Sequence, residues 1–167
     1  MRQLKARLKN KLKGAKRIAF VGVGSELHGD DVAGILVARQ IKDFPSRKKT
    51  SVKFKVFLGH TAPENISGQI REFKPTHIVI IDAADVGAKA GNIIMFDPQD
   101  EAEVGMSSTH RLPLRILAGY LKASIGCQAL IIGIQPKIID FGQDACLQVR
   151  RAAQKVAVSV KALLRAA

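Results

Sequence analysis

Apolar residues fall along the chain in two rhythms. Four short runs are apolar without alternation: Arg17-Ile-Ala-Phe-Val-Gly-Val-Gly24, His77-Ile-Val-Ile-Ile-Asp82, Gly91-Asn-Ile-Ile-Met-Phe96 and Gln128-Ala-Leu-Ile-Ile-Gly-Ile134. Unbroken apolar runs predict strands covered on both faces. A fifth run, residues 51–58, alternates Val52, Phe54 and Val56 with Lys53 and Lys55, which predicts a strand with one wet face. Between the strands the spacing turns helical. Val32, Ile35, Leu36, Ala38 and Ile41 mark a helix over 30–42, and a short one over 64–73 stops at Lys74-Pro75. Leu112, Leu114, Ile116, Leu117 and Leu121 mark a third over 110–123, with Pro113 in its first turn. Val149, Val156, Val160, Leu163 and Leu164 mark a long terminal helix beginning near Asp144. The stretches 43–50 and 97–106 read as loops, the second acidic. Alternating strands and helices predict one doubly wound α/β domain of about five mainly parallel strands, with helices on both faces.

Charge separates the N-terminus from the rest. Of the net charge of +13 on 167 residues, +8 sits in residues 1–17, which carry no acid. Leu4, Leu8 and Leu12 recur every four residues within this segment, and Gly14 offers a stop. Residues 1–16 therefore read as a basic, helical, solvated arm, and 17–167 as the α/β domain. A basic arm suits an acidic partner, a membrane surface or RNA. Nucleic acid is not expected, because the chain has no Trp and one Tyr, Tyr120, on which bases could stack. No apolar run approaches the roughly 20 residues that span a bilayer. Two cysteines, Cys127 and Cys146, exclude a disulfide scaffold and a four-cysteine zinc site. They read as small buried hydrophobes, and the expected compartment is the cytoplasm.

Ligands of open α/β sheets bind beyond the carboxyl ends of the strands. Three polar clusters are expected there: Gly24-Ser-Glu-Leu-His-Gly-Asp30-Asp31, Asp82-Ala-Ala-Asp85 and Ser107-Ser-Thr-His110. Gly22 and Gly24 begin a dinucleotide fingerprint, but its third glycine would fall on Leu27. Asp30 and Asp31 would also repel a phosphate at the helix start, so no nucleotide cofactor is expected. Asp30 reads as a helix cap, whereas capping does not require Asp31. Asp31, Asp82 and His110 together offer two carboxylates and an imidazole, a set suited to zinc, nickel or iron with positions left open. Each also has a bland reading, as loop organiser or structural histidine. His60 is expected to line the cleft and His28 to make a peripheral contact, while His77, at a strand start, reads as structural. No Ser-centred nucleophile elbow occurs.

The ordered set GVGSELHGDDVAG, GHTAPEN, VIIDAADVG, STHRLPL and GIQP, spanning residues 17–141, resembles the nickel-iron hydrogenase maturation endopeptidases. The histidine segment and GIQP are most similar to the subgroup serving formate-hydrogenlyase-type and related energy-converting hydrogenases. The resemblance implies a peptidase that removes a C-terminal extension from the hydrogenase large-subunit precursor after nickel insertion. It implies nickel carried by the substrate and contacted by Asp31, Asp82 and His110. Three positions depart from the family pattern: Ser25 replaces its Asn, Val32 the Gly after the acid pair, and Leu58 an Asp after the second strand. Two other readings fit the residues: a small hydrolase with its own bound metal, and a non-catalytic escort of the large subunit.

Overall fold

The computed structural model describes residues 2–44, 51–98 and 111–166. Helix α1 spans Arg2–Lys11, strand β1 Arg17–Val23, and a 3-10 turn over Gly29–Val32 leads into α2, Ala33–Lys42. Strand β2 is Lys53–His60, and a second 3-10 turn, Pro63–Ile66, precedes α3, Ser67–Phe73. Then follow β3 (His77–Ala83), β4 (Ile93–Phe96), α4 (Arg111–Ile125), β5 (Gln128–Ile134) and α5 (Leu147–Ala166). The strands form one sheet in the order β2-β1-β3-β5-β4, and β4 alone runs antiparallel to its neighbour. This is the doubly wound, mainly parallel sheet that the apolar rhythms predict.

Successive strand residues face opposite sides, and two separate cores result. Ile18, Phe20, Val79, Ile81, Leu130 and Ile132 pack beneath α1, α2 and α5. Ala19, Val21, Ile78, Ile80, Ala129 and Ile131 pack with Ile70 of α3 and Leu117 and Leu121 of α4. Unbroken apolar strands arise because both faces are covered. At the edge, β2 keeps Lys53 and Lys55 exposed, as its alternation requires. No described helix is long and apolar enough to cross a membrane.

The N-terminal helix departs from the expected solvated arm. Leu8 is completely buried and Leu12 nearly so, in the same core as α2 and α5, and α1 packs along α5. Arg7 also donates to the Met95 carbonyl at 3.2 Å, tying α1 to the antiparallel edge strand. A stripe of three leucines suffices because α5 and β4 leave a flank that only a narrow helix is needed to fill. Leu8→Ala is expected to cost about 2–4 kcal/mol, the range for emptying a closed leucine site. Urea unfolding measures this, and an unchanged midpoint would mean that the helix does not belong to the folded core.

Candidate active site

From β1 the chain crosses to β2 on one side, then to β3 on the other. The carboxyl ends of β1 and β3 therefore form the topological switch point, where connections diverge and leave a crevice. Two glycines press the β1–α2 connection onto this point. A Cβ at Gly34 would stand 2.0 Å from the Ile81 carbonyl and 2.3 Å from that of Val23. Gly24 has φ of +129°, and a Cβ there would lie 1.8 Å from the Asp31 carbonyl. A Cβ at Gly22 would lie 2.5 Å from the Ala38 Cβ and 2.5 Å from the Gly34 carbonyl, so Gly22 and Gly24, which start a dinucleotide fingerprint, are both needed for close packing of this connection.

Asp31 lies in the 3-10 turn, which contacts β3. Its Oδ2 accepts the Ser25 N–H at 2.6 Å. Asp82 is the penultimate residue of β3, half-buried, in register with Gly133 of β5. Both carboxylates therefore border the switch point. His110, with the rest of its Ser107–His110 cluster, lies outside the described residues. Among the described residues, no three His, Cys, Asp or Glu side chains converge as a metal site.

Ser25 organises the loop locally. Its Oγ accepts the Leu27 N–H at 3.2 Å and lies 2.8 Å from His28 Nδ1. The His28 ring stands edge-on to Phe141, 5.5 Å between centroids. On the other side, Glu26 takes a bidentate pair from Arg39 at 2.7 and 2.8 Å, and His60 Nδ1 lies 3.9 Å from Glu26 Oε1. His60 has φ of +48°, uncommon for a residue with a side chain. Its carbonyl accepts the Gly24 N–H at 2.9 Å, which fuses the end of β2 to the site loop. His60 thus lines this edge. Leu58 pairs in register with Gly22 and is half-buried.

Asp30 is not a helix cap, and this corrects the reading from sequence. The turn that holds it has no side-chain cap at all. Its carboxylate is fully buried and turns away from the helix to the β5–α5 loop. Oδ2 accepts the N–H groups of Lys137 and Ile138 at 2.7 and 3.0 Å, and Oδ1 that of Cys146 at 2.6 Å. Burial alone would raise the Asp30 carboxyl, but these three donors, with the Cys146 thiol beside them, outweigh it and hold it below its ordinary value of 3.8. Gln135, of the GIQP segment, does the same for the β3 end. Its Oε1 accepts the Val86 and Ala88 N–H groups at 2.7 and 3.2 Å, and its Nε2 donates to Asp85 at 3.0 Å.

His77 sits at the far end of β3 from Asp82, against Thr76 Oγ1 at 3.1 Å, and burial lowers its pKa. It is structural. Burial pushes both thiols up, so neither Cys127 nor Cys146 is an activated nucleophile.

Fold and site together define a doubly wound α/β protein with Asp31 and Asp82 bordering the sheet's switch point. A family model described as hydrogenase maturation protease matches residues 35–163. The chain is 38% identical over 141 residues to a putative hydrogenase maturation protease of Methanocaldococcus jannaschii, covering 83% of each. It is also 38% identical over 134 residues to the hydrogenase 3 maturation protease of Escherichia coli K12, covering 80% of this chain and 82% of that one. The crystal structure of a nickel-iron hydrogenase maturation protease from Thermococcus kodakarensis superposes with a TM-score of 0.82 at 31% identity, over 95% of this chain and 99% of that one. The chain belongs to the hydrogenase maturation protease family, and it is a peptidase.

Proposed function

We propose that this peptidase removes the C-terminal extension of a nickel-iron hydrogenase large-subunit precursor once nickel has been inserted. The observation that supports this most is the pair Asp31, in the turn between β1 and α2, and Asp82, at the end of the neighbouring parallel strand β3, carried on a protease-family chain. Nickel arrives as part of the substrate. Asp31, Asp82 and His110 contact it, so that a loaded precursor is held and an empty one is not. The held ion also draws charge from the scissile carbonyl or an attacking water. Ser25 fixes Asp31 for this contact, and Asp30 and Gln135 hold the loops on either side. No resident metal is required, which separates this reading from a hydrolase carrying its own ion. Mass measurement of a nickel-loaded precursor after incubation with the purified chain tests the proposal.

Leu58 bears on catalytic competence. Loss of a general acid or base typically costs about a hundred- to ten-thousandfold in rate. Glu26, Arg39 and His60 already supply polar groups to this edge. Leu58→Asp is therefore expected to change cleavage by less than about tenfold. A gain above a hundredfold would show that the natural chain is an impaired catalyst and acts chiefly as an escort.

A further inference from the structure

We propose that the loop after β1 and the loop between β5 and α5 form a docking rim for an extended apolar stretch of the precursor, beside the bond to be cut. This rests on the peptidase reading above. Leu27, Ile139, Phe141 and Leu147 are 59, 49, 72 and 58% exposed, and all four belong to these two connections or the residue that closes them. Single exposed apolar residues are ordinary on protein surfaces. These four differ in that the two connections carrying them are tied to each other through the backbone. Gly142 N–H donates to Leu27 O at 2.8 Å, Gly29 N–H to Gln143 O at 3.1 Å and Asp30 N–H to Ile138 O at 2.8 Å. The buried Asp30 carboxylate adds three more bonds, to residues 137, 138 and 146. This framework fixes the two connections from which the four side chains project.

The rim is continuous with the site. Phe141 meets His28, His28 meets Ser25 Oγ, and Ser25 N–H holds Asp31. A polypeptide reaching Asp31 thus has an apolar rim on the β5 side and the charged Glu26, Arg39 and His60 group on the β2 side. That asymmetry would set the direction in which the substrate chain lies. Around the apolar rim Lys137, Asp140, Asp144 and Arg150 are mixed in sign, so no single charge is selected. A second copy of this chain fits less well. Four side chains bury far less than the roughly 800 Å² per partner of a standard interface, whereas a few extended residues need only such a strip.

The test uses Leu27→Ser, Phe141→Ser and their combination, with Val158→Ser on the remote face of α5 as control. Cleavage of nickel-loaded precursor is measured alongside its binding to each protein, with thermal melting and sedimentation as checks. The double variant should raise KM about tenfold or more with kcat within about twofold, the mark of lost uniform binding. Binding should weaken by the same factor, the control should be unaffected, and Phe141→Leu should restore most of the loss. Unchanged KM and binding in the double variant would overturn the proposal, as would a change confined to self-association. If the double variant fails to fold, Leu27→Ser alone decides by the same readings. If the natural chain binds but does not cleave, the peptidase role on this substrate fails, and the binding comparison still judges the rim.

Discussion

Asp31→Asn is expected to lower cleavage of the nickel-loaded precursor by at least about a hundredfold while leaving the fold intact. The two parts of this expectation have different causes, a hydrogen bond and a charge. Oδ2 accepts the Ser25 N–H at 2.6 Å, and an amide oxygen can take over that bond. The loop should therefore keep its shape, and unfolding free energy should move by no more than about 1 kcal/mol. What the amide lacks is charge, and an uncharged oxygen is a poor ligand for a divalent ion. Asp82→Asn should behave alike, because Asp82 borders the same switch point from β3. Cleavage rates together with urea midpoints for both variants check this. Full activity in either one would remove its carboxylate from the reaction.

Asp30→Asn, one residue away, should do the reverse and act through stability. The Asp30 carboxylate accepts three N–H groups on two oxygens. Asn has one acceptor oxygen, so its NH2 must face either Cys146 N–H or the Lys137 and Ile138 pair. At least one buried donor is then unsatisfied and a charge-assisted set is lost, at a cost of about 3–5 kcal/mol. Acid should reveal the same link. The folded carboxyl sits below its ordinary 3.8 and the unfolded one does not, so its stabilisation is complete above the unfolded value. That stabilisation is lost as pH falls through the folded value. The gap between natural chain and variant should be constant above about pH 5 and shrink below about pH 4. Urea unfolding across pH 3 to 7 measures it; a gap that widens in acid would assign Asp30 another role.

What was legible in the sequence follows the range of the interactions. Strands covered on both faces betray themselves locally, and all five appear where the apolar runs lie. The wet face of β2 was equally readable, because alternation is a property of neighbours in the chain. Asp30 was not, since its partners lie 107 to 116 residues downstream and nothing nearby distinguishes it from a cap. Gln135 escaped for the same reason, reaching back to residues 47 to 50 positions earlier. A capping argument assigns Asp30 to its own turn, whereas its carboxylate clamps a distant loop. Leu8 and Leu12 looked solvated because burial of so narrow a stripe depends on the flank that α5 offers. The placement of Asp31 and Asp82 at one end of the sheet is readable from sequence because both lie at or just after the carboxyl ends of parallel strands.

The central claim is that nickel on the substrate licenses cleavage. Incubating the purified chain with the same precursor, nickel-loaded in one arm and nickel-free in the other, tests it most directly, with product mass as the readout. The expected result is loss of the C-terminal extension from the loaded precursor alone. Equal cleavage of both forms would contradict the account, because the carboxylates would then act on the peptide without reading the metal.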